Sequence, residues 1–97
     1  MQPTMTTNLN GTIQYTLYDR LHREDGPAII HPSGSQSWYL NGELHRLDGP
    51  AFIRANGTQS WWLNDKEYTF NNFCEQLKLS KEDIVFLKLK YNTCVVS

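Results

Sequence analysis

Over its first two-thirds the chain carries apolar residues in short alternating runs. Tyr15 and Leu17, Trp38 and Leu40, and Trp61 and Leu63 each stand two positions apart, with Thr16, Tyr39 and Trp62 between them. Period two is the spacing of a strand with one face inward. Turn-forming pairs separate the runs: Asn41-Gly42, Asp48-Gly49 and Asn56-Gly57. Asn-Gly between strands signals a two-residue hairpin with positive φ at both positions. Pro50, which has no N–H to donate, suits a sheet edge or a strand start. After Thr69 the period changes. Phe70, Phe73, Cys74 and Leu77 follow i, i+3, i+4, i+7 spacing, the mark of an amphipathic helix.

The strand pattern repeats. LHREDGPAII from Leu21 returns as LHRLDGPAFI from Leu44, an offset of 23 residues (44 − 21). The same offset links Gly11 to Gly34 to Gly57, Tyr15 to Trp38 to Trp61, and Leu17 to Leu40 to Leu63. The chain therefore reads as a single domain, 1–97, with copies at 11–33, 34–56 and 57–67 and a helical cap at 69–91. Each copy should form strand, tight turn, strand, turn. Ser35–Leu40, Ala51–Arg54 and Ala28–His31 are the strands most clearly marked. The first hairpin should be the weakest, because Tyr18-Asp19 stands where the second copy has Asn41-Gly42. Side-by-side copies would align an aromatic row and a leucine row into a core shared between neighbours. The fold class expected is mainly β (α+β): an antiparallel hairpin meander ending in short helices.

For the cap, Thr69 is a suitable N-cap, and Ser80-Lys81-Glu82-Asp83 resembles a capping box with Asp in place of the preferred Glu. A second helix should run to about Lys90 with Ile84 and Leu87 inward. The alternation of Val85, Leu87, Leu89 and Tyr91 supports the rival strand. The polar start, Met1 to Leu9, should fray, leaving the edge near Gly11–Tyr18 bare and open to edge-to-edge dimerisation.

Composition narrows the functional classes. Twelve per cent of residues are aromatic, and three Trp and five Tyr give a thin core large buried rings. A net charge of −1 and a pI of about 6.3 provide no electrostatic footprint for nucleic acid. The basic run Lys78 to Lys90 is diluted by Glu82 and Asp83. No leader pattern opens the chain and no apolar stretch is long enough to span a bilayer, so a cytoplasmic protein is expected. Cys74 and Cys94 do not form a disulfide framework. Cys74 reads as a small core residue, and Cys94, in the tail, has no neighbour that would activate it.

The run W-Y-L-N-G-x-L-H-R-x-D-G-P-A at Trp38–Ala51 resembles the MORN-like repeat of small proteins from bacteriophages and large viruses; a related repeat occurs in some bacterial antitoxin-like proteins. Lys66–Tyr91 (KEYTFNNFCEQLKLSKEDIVFLKLKY) looks like the helical ending of those viral proteins. The resemblance spans roughly 11–91. Tyr18-Asp19, and Tyr68-Thr69 in place of His-Arg, depart from it. It implies a hairpin array that binds a partner protein, in a viral setting a host protein such as a defence factor it inhibits, and it implies no catalytic residues.

Two residue sets could carry function. His22, Arg23 and Asp25 recur as His45, Arg46 and Asp48. Stacked copies would hold equivalent residues two strands apart, about 10 Å, too far for two histidines to share one zinc. Arg and Asp should instead hold the turn before Gly-Pro, with His bonded to a backbone carbonyl. A metal-dependent hydrolase using His22, His45, Asp25 and Asp48 is the enzymatic alternative, but no cofactor and no metal is expected. Tyr18, Tyr39 and Trp62, opposite the core row, form the better binding face, since exposed Tyr and Trp are enriched at interface hot spots. The competing expectation is that the helices pack on these rings. Membrane-surface binding would need a basic face, for which only Arg20, Arg23, Arg46, Arg54 and Lys66 are available beside acids.

Overall fold

The structure is a computed structural model that describes residues 2–91. Ten strands precede two helices: β1 Thr4–Thr7, β2 Ile13–Leu17, β3 Arg20–Leu21, β4 Ile29–Ile30, β5 Gln36–Ser37, β6 Tyr39–Leu40, β7 Glu43–Leu44, β8 Phe52–Ile53, β9 Gln59–Leu63 and β10 Lys66–Tyr68, then α1 Phe70–Leu77 and α2 Lys81–Lys90. The fold is thus mainly antiparallel β with a short helical cap. One sheet runs β1-β2-β4-β5-β8-β9-β10, with β3 paired to β2; β6 and β7 form a separate hairpin. Only Trp38 separates β5 from β6, and its N–H donates to the Ala51 carbonyl at 2.7 Å.

The three copies repeat one backbone plan. Each opens with a hairpin whose two turn residues have positive φ: Tyr18 and Asp19 (53° and 62°), Asn41 and Gly42 (53° and 83°), Asn64 and Asp65 (49° and 69°). The first hairpin, expected to be the weakest, closes on the same turn as the others. Its φ values are ones that Gly and Asn adopt at little cost and Tyr does not. Neighbouring hairpins are stitched together in the same way each time. Gly42 N–H donates to Leu21 O and Asp65 N–H to Leu44 O, both at 2.8 Å. Arg23 N–H donates to Tyr39 O and Arg46 N–H to Trp62 O, at 3.0 and 3.2 Å.

Two expectations are corrected at the N-terminus. Thr4–Thr7 is a strand rather than a frayed segment, and it pairs with Ile13–Thr16, so the edge expected to be bare is covered and β1 itself becomes the outer edge. All four β1 side chains are exposed, so no apolar alternation marked the strand. What forms it is backbone pairing by β-branched threonines.

The core is also more local than a continuous row. Trp61, Leu63, Phe70, Phe73, Cys74 and Leu87 are buried together, with Tyr68, Leu77, Leu79, Ile84 and Tyr91 packed around them. Tyr15, Leu17, Trp38 and Leu40 are only half-buried. The reason is a missing layer. The molecule is 19 Å in its thinnest dimension, and the helices pack on the third copy, reaching the second only at its Arg46–Asp48 corner. Both helices begin at the expected caps: Thr69 Oγ1 accepts from Asn72 N–H and Ser80 Oγ from Asp83 N–H, each at 3.1 Å. Residues 81–90 are helix, with Leu87 buried and Ile84 against the core, which excludes the strand alternative.

Candidate functional site

The recurring polar residues build a corner in each of the first two copies. Arg23 lies over the Tyr15 ring, its guanidinium carbon 4.0 Å from the centroid; its Nε donates to Asp25 at 3.0 Å and its Nη1 to the Pro27 carbonyl at 3.2 Å. Arg46 repeats this over Trp38 at 4.0 Å, with Asp48 at 2.9 Å and the Pro50 carbonyl at 3.1 Å. The guanidinium is therefore the lid on the ring of its own copy. This is the role for which a planar, delocalised cation is suited and an ammonium is not. Behind each corner Ala28 and Ala51 are fully buried, so the chain turns against the sheet with no room for a larger side chain.

The histidines act between copies rather than within one. His22 Nδ1 accepts from Asn41 N–H and His45 Nδ1 from Asn64 N–H, both at 3.0 Å. The expected carbonyl partner is thus replaced by an amide donor on the next copy's turn. Each ring must carry its proton on Nε2 to leave Nδ1 as the acceptor. Among the described residues, no three His, Cys, Asp or Glu side chains form a group able to hold a metal ion. Asp25 and Asp48, with side chains 87% and 83% exposed, are each tied to their own arginine.

The third copy lacks the corner, because Tyr68-Thr69 stands where His-Arg would be. Trp61 receives helical rings instead of a guanidinium: Phe70 at 4.9 Å, Phe73 at 4.8 Å and Tyr91 edge-on at 5.8 Å between centroids. Tyr91 also reaches back to the second corner, where its hydroxyl accepts from Arg46 Nη2 at 2.9 Å. Gln59 Nε2 donates to its carbonyl at 2.8 Å. No pattern along the chain marks Tyr91 for this role. The available signal was the broken third copy, which left Trp61 needing another cover.

Alternation within β9 fixes where the candidate binding rings lie. Trp61 and Leu63 face the helices and Trp62 faces away. Tyr39 pairs with Leu44, and Trp62 with Glu67, on this second face. The helices therefore pack on the other side of the sheet, not on Tyr39 and Trp62, which are half-buried. Tyr18 sits at the first turn and is 75% exposed. Burial, reinforced by the negative charge of Asp65, holds the Tyr39 phenol above its ordinary pKa. The Trp62 indole N–H is covered and has no acceptor among the described residues. Phe52, in register with Ser60, adds a further ring beside them, with the Arg54 guanidinium 5.2 Å away.

Cys74 is buried in the core, and burial raises its thiol pKa, partly offset by Lys88. Cys94 lies outside the described residues. No helix among the described residues is long and apolar enough to cross a membrane.

Comparison with known proteins adds no relative. No family model, no curated protein and no solved structure matches the chain.

Proposed function

We propose that this chain is a non-catalytic protein-binding module that engages its partner through the sheet face carrying Tyr39 and Trp62. The observation that carries this reading is the one-sided placement of the cap. The helices bury Trp61 and Leu63 and leave the other face, with Tyr39, Trp62, Leu44 and Phe52, as half-buried apolar and aromatic surface. Rings of this kind, held on a rigid sheet, bring large contact area at little cost in conformational entropy. Tyr18, exposed on the first turn, is a further candidate contact. The polar side chains elsewhere serve the corners, which are repeated as structural units are and as a single catalytic centre is not. The sequence resemblance adds the biological setting: a virus-encoded protein in the cytoplasm, acting on a host protein whose activity it blocks.

Affinity capture from host lysate, with Tyr39→Ser and Trp62→Ser as separate baits, tests this reading. The parent protein should retain a partner that both variants lose while their circular dichroism stays that of the parent. A partner retained by both folded variants would rule this face out.

A further inference from the structure

The period of 23 residues places two copies of one receptor on the helix side of the sheet, and only one is filled. In the filled copy four side-chain and backbone positions shape the seat of Tyr91, whose hydroxyl also donates to the Asp48 carbonyl at 3.5 Å. Arg46 Nη2 donates to its hydroxyl at 2.9 Å, Gln59 Nε2 donates to its carbonyl at 2.8 Å, and Trp61 meets its ring edge-on at 5.8 Å. Gly49 supplies the space: a Cβ there would fall 2.6 Å from the Tyr91 oxygen. Subtracting 23 from each gives Arg23, Gly26, Gln36 and Trp38, and all four identities are the same.

At this second set no aromatic side chain among the described residues takes the place of Tyr91, although Trp38 already carries the Arg46 guanidinium 4.0 Å from its centroid. A cavity of about 550 Å³ opens there, walled by Arg23, Asp25 and Gly26 on one side and by Trp38, Leu40 and Arg46 on the other. Arg23 makes the same bonds as Arg46 to its own Asp and Pro carbonyl, yet among the described residues it has no counterpart of the third bond, from Nη2 to a phenol. Its side chain is correspondingly more exposed, 23% against 13%. At Gly26 the atoms nearest a Cβ are those of the Arg23 guanidinium, the closest at 2.9 Å, whereas at Gly49 the Tyr91 ring stands beside the Arg46 guanidinium.

We propose that the Arg23–Gly26–Trp38 cavity is a receptor for a tyrosine side chain presented by a partner protein. The guanidinium supplies a charge-assisted hydrogen bond to the phenol oxygen, and Trp38 an edge-to-face wall. Arg46, stacked on Trp38, makes the floor cationic, which favours an electron-rich phenol over a plain phenyl ring. The rim differs from the filled copy on both sides: Glu24 stands where the filled copy has Leu47, and His45, Arg46, Leu47 and Asp48 stand where it has Tyr68, Thr69, Phe70 and Asn71, so the partner's residue beside the tyrosine should be basic or polar rather than aliphatic. This site lies on the opposite side of the sheet from Tyr39 and Trp62 and is independent of the role assigned to them.

The test is a titration of the intact protein with N-acetyl-tyrosinamide, followed by backbone and arginine Nε resonances in two-dimensional NMR. The Gly26 amide and Arg23 Nε should shift saturably while Gly49, already occupied, stays in place. N-acetyl-phenylalaninamide should bind about tenfold more weakly, since it forfeits a hydrogen bond to a charged donor. In a folded Arg23→Lys variant the preference for tyrosine should vanish. Absence of a shift at Gly26 and Arg23, or equal response to the two amides, would overturn the proposal. That comparison uses the parent protein alone, so it holds even if the variant does not fold.

Discussion

At the scale of single residues, the two histidines show how a side chain that looks catalytic can be structural. Each accepts one backbone N–H from the following turn, His22 from Asn41 and His45 from Asn64. His45→Ala strands the Asn64 N–H, and chemical denaturation should show a loss of about 1 kcal/mol with no effect on metal content, because the group lost is a hydrogen-bond acceptor. Cys74 makes a different prediction. Burial raises its pKa, so the folded chain holds the thiol proton more tightly than the unfolded chain does. That contribution is complete below the ordinary value of 9.0 and is lost as pH rises through the higher native value. Between pH 9 and 10 the urea midpoint of the parent should therefore fall more steeply than that of Cys74→Ala.

At the scale of elements, backbone chemistry decides what the hydrophobic pattern leaves open. The hairpins, both helices and both N-caps were legible in the sequence because each has a local signal: a turn pair, a change of period, or a Thr or Ser before the first helical turn. Thr69→Ala and Ser80→Ala should each cost about 1 kcal/mol in thermal or urea unfolding by removing the acceptor for the Asn72 or Asp83 N–H. β1 was not legible, since an exposed four-residue strand of Thr and Met carries no alternation and is specified by the neighbour it pairs with. The Tyr18-Asp19 turn likewise closes without a local signal of its own. Stacking on identical neighbours imposes a geometry that its residues do not favour alone. Asp19→Gly relieves one left-handed non-glycine residue, at φ 62°, and should raise the unfolding free energy by about 1 kcal/mol.

At the scale of the whole molecule, the repeat and the candidate aromatic face could be inferred from the 23-residue offset, but the side on which the helices settle could not. Both faces of the third copy carry a tryptophan. The choice between Trp61 and Trp62 was made by the loss of the arginine lid at Thr69 together with the reach of Tyr91 to Arg46, a contact 45 residues away in the chain. The cap should be the most sensitive part of the protein. Trp61→Ala removes the ring that Phe70, Phe73 and Tyr91 surround and should cost about 3–5 kcal/mol, enough to leave the chain largely unfolded by circular dichroism at ambient temperature.

Tyr91 has a consequence for how such a chain can change length. The helices need only one landing place, an arginine, a glycine, a glutamine and a tryptophan at set positions, and every complete period supplies it. In-frame duplication of residues 34–56 would therefore move the terminal assembly outward by one step and reproduce its seat, giving a longer blade with the same two ends. Copy number then becomes a quantity that recombination can alter without redesigning any interface, and each added period would bring one more vacant tyrosine seat.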